Sequence, residues 1–211
     1  MAVATRRKRQ ALDPQRRTPL QARARDSVEA IFEATARILQ SEGRAGLNTN
    51  RVAALAGVSV GTLYSYFPNK DAILLAMARR ETEAVRASVA KALTEELLGD
   101  VSPIRLAIRA LIKGYGRRNK ARRILMETLI AAGHSDEIAS PVQDIADLIA
   151  AKGAHLLPAN AKPPSPIALF VLTRAVDSVV RAATYEDAKF IASREFEDEL
   201  TRLVLAYVTA P

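Results

Sequence analysis

Residues 49–71 read Thr-Asn-Arg-Val-Ala-Ala-Leu-Ala-Gly-Val-Ser-Val-Gly-Thr-Leu-Tyr-Ser-Tyr-Phe-Pro-Asn-Lys-Asp. They spell two short helices around a tight turn. Val52, Ala53, Leu55 and Ala56 give the first helix an apolar face, and Gly57 supplies the permissive backbone of the turn. Ser59 is placed to cap the second helix, with Val58 packing on Leu63 as a hydrophobic staple. Leu63 and Phe67 point inward together. At about 100° per residue, Gly61 and Ser65 fall on the far side, flanked by Thr62 and Tyr64. A helix this short needs neighbours to hold it up. The arrangement predicts a helix-turn-helix whose second helix enters the major groove of DNA.

A plain αα-corner shares the helix–glycine–helix plan, but two features separate them. The outward face carries hydroxyls and tyrosines where an ordinary surface would carry Glu and Lys. Phe67-Pro68-Asn69-Lys70-Asp71 then stops one helix and starts another, because the residue before proline leaves the helical region. Asn69 is suited to cap the new helix, which sets Lys70 and the first-turn amides where a phosphate could bind.

From Arg23 to Arg80 the chain resembles the TetR family of transcriptional regulators. Ala56-Gly57-Val58-Ser59, Thr62-Leu63-Tyr64-Ser65-Tyr66-Phe67 and Asn69-Lys70 carry the resemblance. It implies that Thr49 and Arg51 approach phosphates and a base edge. Val60, Gly61 and Thr62 are then expected to face base edges, while Tyr64 and Lys70 grip the backbone and Tyr66 does either. Ser59, Arg23 and Arg25 complete the expected DNA-binding set. Val60 and Gly61 offer no side-chain hydrogen bonds, so thymine methyls and DNA shape are expected to share the readout.

The chain has 211 residues, 49% of them apolar, and a net charge of +8. That suits a small DNA-binding domain and a larger second one. The charge is concentrated: residues 1–25 hold eight basic residues against Asp13 alone, whereas the remainder carries 23 basic against 22 acidic. Residues 1–20, with Pro14 and Pro19, are expected to form a disordered basic arm. It could lie along phosphates or in the minor groove, or be a dispensable tail. There are no cysteines, hence no disulfide or thiolate metal site. A signal-peptide pattern and a membrane-length apolar run are both missing, which predicts a cytoplasmic protein.

The expected fold is all-α, about nine helices. A three-helix DNA-binding domain spans 21–69, and a helical effector-binding and dimerisation domain spans 70–211. Helix 1 is expected from Asp26, where Asp26 and Glu29 have capping-box spacing, with Val28, Ile31, Phe32, Thr35, Ile38 and Leu39 inward. A long connector helix runs from Lys70 to about Leu98. Ser102-Pro103, Ser140-Pro141 and Ser165-Pro166 each predict a helix start. The helix over 165–184 is apolar almost all round and needs cover on more than one side. The last helix places Phe196, Leu200, Leu203 and Tyr207 along one seam. Pairing the two with their copies through these residues, Val176 and Val180 predicts a homodimeric four-helix bundle. The resemblance implies the same dimer.

The resemblance also implies a small-molecule pocket in the second domain. Its candidate lining is Leu111, Tyr115, Met126, Ile130 and Phe170, with Arg174 and Asp177 as polar members. An ion pair among Arg174, Asp177 and Arg181 explains those charges equally well. Gly114 and Gly116 flank Tyr115, which permits close packing, a kink or a cavity mouth. Lys113, Arg117, Arg118, Lys120, Arg122 and Arg123 form a second basic cluster, either a solvated face or a border with the DNA-binding domain.

Catalysis is not expected. His134 and His155 are too far apart for a helical metal pair, and no cysteine nucleophile, phosphate loop or serine elbow is present. No cofactor or metal is expected. The expected function is a dimeric, sequence-specific DNA-binding regulator on a pseudo-palindromic operator, repressing until a small effector binds. Its rivals are an effector-independent architectural DNA binder and a helical carrier or enzyme on the same scaffold.

Overall fold

The computed structural model describes residues 17–94, 102–116, 119–156 and 163–209. Most of the basic arm, at 1–16, therefore lies outside the described residues, as do Arg117 and Arg118. The described residues form nine α-helices and no strand. The first four are α1 (Arg17–Glu42), α2 (Thr49–Ala56), α3 (Val60–Tyr66) and α4 (Lys70–Thr94). Then follow α5 (Pro103–Gly116), α6 (Asn119–Ala131), α7 (Ser135–Leu156), α8 (Pro166–Tyr185) and α9 (Arg194–Thr209).

Two expected starts are corrected. Helix α1 begins at Arg17, so 17–20 are helical and the Asp26–Glu29 spacing lies inside the helix. Glu29 instead reaches α4, where Arg80 grips it with two contacts of 2.7 Å. Helix α7 begins at Ser135 and runs through Pro141, so Ser140-Pro141 starts nothing. Gly133 (φ 77°) ends α6 just before it. The His134 amide bonds Leu129 at 2.9 Å and the Gly133 amide bonds Ile130 at 3.0 Å, the pairing of a Schellman cap. Ser165 does cap α8, accepting from the Ala168 amide at 3.1 Å.

Two cores share one helix. The first joins Ile31, Ile38 and Leu39 of α1 to Val52, Leu63 and Phe67, and to Ile73, Leu74 and Met77 from the first half of α4. Ala121, Ile124, Leu125 and Leu129 of α6 belong to this core as well. The second core takes Val85, Val89 and Leu93 from the rest of α4, with Ile104, Ile108 and Ile112 of α5, Val176 and Val180 of α8, and Leu200 of α9. Packing thus passes through α4 rather than breaking at 69/70, and α6 sits on the first core although it lies far along the chain.

Gly114 explains itself here. A Cβ at that position would come within 2.8 Å of Val85 Cγ2, so the glycine lets α5 close on α4. Of the alternatives left by the sequence, close packing is the one present.

Candidate nucleic-acid interface and ligand cavity

The turn between α2 and α3 is built by local hydrogen bonds. Gly57 is left-handed (φ 68°), and the Val58 amide reaches back to Ala53 at 3.1 Å while that of Gly57 reaches Ala54 at 3.3 Å. Ser59 Oγ accepts from the Thr62 amide at 2.9 Å and also meets Thr62 Oγ1 at 2.8 Å. Ser59 and Thr62 thus orient each other as well as capping the helix. Asn69 caps α4 through the Ala72 amide at 2.9 Å. Asn48, which the sequence reading passed over, caps α2 through the Arg51 amide at 2.8 Å. Its signal, an Asn just before a short apolar-faced helix, was present.

Leu63 is fully buried, and Phe67 packs on Phe32 with ring centroids 5.6 Å apart. With α3 anchored by these two, its other side faces outward. Val60 is 40% exposed, Tyr64 49% and Tyr66 37%. Ser59, Gly61, Ser65, Lys70, Arg23, Arg25 and Arg51 are exposed too, with Thr49 and Thr62 half-buried. Three large apolar or aromatic groups standing in solvent on one short helix call for a partner surface. Tyr64 Oη is bonded to Thr49 Oγ1 at 3.0 Å, which fixes the ring against the start of α2. Arg51 forks onto Glu42, and its hydrogen bonds, helped by its charge, hold that carboxyl below the usual range. An exposed pair of this kind is weak and exchangeable.

The second core encloses an apolar cavity of about 140 Å³ between α4, α5, α7, α8 and α9. Leu111, Tyr115 and Asp177 line it as expected, alongside Val89, Ile108, Ile149 and Leu172. The other expected liners do not. Met126 packs against the first core, and Ile130 is 58% exposed, because α6 turns its apolar face to α1 and α4. Phe170 is 54% exposed, and Arg174 stacks over it at 5.4 Å. Both lie on the side of α8 opposite Leu169, Leu172 and Val176.

The expected dimer residues divide in the same way. Val180 and Leu200 are buried in the chain's own second core, and Val176 lines the cavity. Phe196 is half-buried against Phe190, centroids 5.3 Å apart. Leu203 and Tyr207 remain exposed. The apolar groups that α8 does present to solvent are Ile167, Phe170, Val171 and Val179. Their spacing was readable, but an all-round apolar helix does not say which side the monomer keeps.

At the cavity wall, Tyr115 Oη donates to Asp177 Oδ1 at 3.2 Å. Burial pushes both groups up, the phenol further because the carboxylate lies beside it. Arg181 Nε stands 2.9 Å from Asp177 Oδ2, but the pair is not aligned as a hydrogen bond, so that oxygen keeps an unused acceptor direction. Behind the Tyr115 ring, Arg122 stacks at 5.1 Å and is paired with Glu81 of α4. The second basic cluster is therefore no single solvated face. Lys120 Nζ bonds the Ser41 carbonyl of α1 at 3.2 Å, while Arg123 lies 6.0 Å from the Tyr185 ring.

With that geometry in place, residues 31–77 match the family model of bacterial regulatory proteins of the TetR family. The helix-turn-helix unit is thus similar to that of the TetR family. A curated relative from Haemophilus influenzae, described as an uncharacterized HTH-type transcriptional regulator, is 39% identical over 66 residues. That match takes in 31% of this chain and 35% of the relative, so it spans about a third of the relative's length. Solved structures extend the likeness of fold to most of the chain. The fatty acid degradation regulator FadR from Bacillus halodurans superposes with a TM-score of 0.62 at 16% identity, over 85% of this chain and 94% of that one. The multidrug binding protein EbrR, solved with imidazole, gives 0.57 at 19% identity, over 87% and 96%. Among the described residues no helix is long and apolar enough to cross a membrane, and no cluster of metal-ligating side chains occurs.

Proposed function

We propose that this chain is a cytoplasmic, homodimeric transcriptional regulator that reads a pseudo-palindromic operator with α3, and whose operator affinity is set by an apolar small molecule in the cavity. The observation that carries the DNA-binding half is the outward face of α3. Val60, Tyr64 and Tyr66 stand exposed over a fully buried Leu63, so the fold holds rigid contact groups away from its own core. Phosphate contacts from Tyr64 and Lys70 set position, and Val60, Gly61 and Thr62 meet base edges.

The dimer face of this reading is Ile167, Phe170, Val171 and Val179 of α8 with Leu203 and Tyr207 of α9, exposed apolar groups on two helices. A twofold pair would set two recognition helices about 34 Å apart, one turn of DNA. Repression fits a cavity that shares α4 with the DNA-binding core, since a ligand that reshapes the second core moves α4. The regulatory reading is favoured over enzymatic activity because the described cavity wall is almost wholly hydrocarbon, and its Tyr115–Asp177 pair is buried, with burial holding the phenol in its protonated form.

Selection of bound sequences from random duplex DNA tests this. The expected result is one palindromic motif with half-sites about one helical turn apart. Tyr64→Ala is expected to weaken every sequence in that pool alike, while Thr62→Ala shifts preference at one position per half-site. Recovery of no motif, with affinity governed by salt alone, would reject the reading in favour of an architectural DNA binder.

A further inference from the structure

Among the described residues lining the cavity, Arg86 and Asp177 are the charged ones. Asp177 is spent inside the wall. It accepts from Tyr115 at 3.2 Å and pairs with Arg181 at 2.9 Å, and its Oδ2 has no accessible surface. Arg86 differs. It lies on α4 between the lining residues Val85 and Val89, its side chain is 32% exposed, and Nε and Nη2 fork onto Glu83 at 2.7 and 2.5 Å. Asp144 of α7 stands 3.9 Å away. Both acids are more than half exposed and neither lines the cavity, so they hold the guanidinium from its solvent side. An exposed pair of this kind contributes little and exchanges readily. The fork also occupies only one edge of the planar guanidinium; among the described residues Nη1 makes no hydrogen bond. The lining threonines bring no charge, Thr82 Oγ1 donating to the Ala78 carbonyl at 2.9 Å and Thr173 Oγ1 to that of Leu169 at 2.8 Å.

Taking the cavity as the effector site proposed above, we infer that it selects an apolar carboxylate, its hydrocarbon body among Val89, Ile108, Leu111, Ile149 and Leu172 and its headgroup on Arg86. The body supplies affinity without direction, since the wall is almost wholly hydrocarbon. Arg86 supplies the direction, because a guanidinium meets a carboxylate through paired, charge-assisted hydrogen bonds. At the edge of an apolar cavity such bonds are screened less than the pair with Glu83 on the surface. An amine would bring a second cation to Arg86, and an alcohol or ester brings it no charge. Size narrows the class further. A cavity of about 140 Å³ is close to the engineered one of about 150 Å³ that admits benzene, so a body of about six carbons fits with its headgroup at the wall.

Ligand-observed NMR titrations of the full chain at neutral pH with hexanoate, hexanol, hexylamine and methyl hexanoate separate these cases, since the hydrocarbon body is held constant. Hexanoate is expected to bind about tenfold tighter than the ester, with hexylamine weakest. Arg86→Gln should bring hexanoate to within about twofold of the ester while leaving the ester itself unchanged. Circular dichroism of the variant confirms its fold, and the headgroup order of the unmodified chain is a test independent of it. Hexanoate no tighter than the ester, hexylamine first, or a hexanoate preference that survives Arg86→Gln overturns carboxylate selection and leaves the cavity as a ligand site. Binding of none of the four removes the cavity reading and the inference together.

Discussion

The pair Arg122–Glu81 offers a sharp test of how this fold handles a buried charge. The Arg122 side chain is 6% exposed and that of Glu81 43%, so the guanidinium is the trapped partner. Its Nε and Nη1 have no hydrogen bond, and burial drags its pKa down against the pull of Glu81. Removing one partner of a fully buried pair costs about 3–5 kcal/mol. Water can still approach from the Glu81 side, so Glu81→Ala should cost less, about 2 kcal/mol. For a chain of this length that is a fall in melting temperature of roughly 4–8 °C. Arg122→Met removes the charge and its unpaired donors but keeps an apolar body under the Tyr115 ring, so its cost should stay within about 1 kcal/mol. In the Met background, Glu81→Ala should then cost about nothing. Thermal melts of the four proteins by circular dichroism at one protein concentration measure the coupling. Equal costs for Glu81→Ala in the two backgrounds would refute the claim that the acid is there to compensate a trapped cation.

Gly114→Ala should lower stability by about 1 kcal/mol, the overpacking against Val85 outweighing the helix-propensity gain, and Val85→Ala in the same chain should restore it; denaturant titration reads both. Lys70→Gln should weaken binding to all DNA sequences alike and reduce the slope of log affinity against log salt by about 1, measured by fluorescence anisotropy. Glu197 ties α9 to α5, meeting Arg109 at 2.8 and 3.0 Å and Arg105 at 3.0 Å, and these guanidiniums hold its carboxyl below the ordinary 4.5. A lowered native value means that its stabilisation is present above pH 4.5 and is lost as pH falls through that native value. Acid unfolding of Glu197→Gln should therefore show a shallower loss over this range, and an unchanged profile would count against the ion pair's contribution.

What the sequence disclosed was local. Gly57, Ser59 and Asn69 each act within five residues along the chain, so their turn and caps were readable before any packing was known. The same logic misled where a local pattern had a distant competitor. Asp26 and Glu29 have the spacing of a capping box, yet Glu29 is taken by Arg80, 51 positions away, and the helix simply continues through them. Pro141 after Ser140 looks like the two other serine–proline starts, but the helix had already begun behind Gly133. Of the residues expected around a ligand, Leu111, Tyr115 and Asp177 line the cavity, whereas Met126, Ile130, Phe170 and Arg174 lie away from it. The reason is rotational: α6 and α8 are apolar on more than one side, and only the positions of α1, α4 and α5 decide which side turns in. For the same reason the sequence could not separate Val176, Val180 and Leu200, which the single chain buries, from the apolar groups of α8 that it leaves exposed.

The arrangement of the two cores bears directly on how a ligand could act on DNA binding. A ligand that touched only the second core would need a mechanical route to α2 and α3, and the fold offers two that start at the cavity. One is α4, whose Val85 and Val89 line the cavity and whose Ile73 and Leu74 belong to the same core as Leu63 of α3. The other runs from Asp177 through Tyr115 to Arg122, which opens the helix that completes the first core. That helix is held to the end of α1 by Lys120 on Ser41, by the Ala121 amide on Gln40 at 3.3 Å, and by Arg44, which reaches both Thr128 at 3.3 Å and Asp71 of α4 at 2.9 Å. The two routes converge, because Glu81 joins Arg122 to α4. Binding in the cavity can shift the equilibrium only by its difference in affinity between the two states, and a full switch requires about 5.5 kcal/mol. Apolar burial in the cavity contributes to that difference only if the cavity closes in one state, whereas the Asp177–Tyr115 contact discriminates between states whenever α5 and α8 move apart.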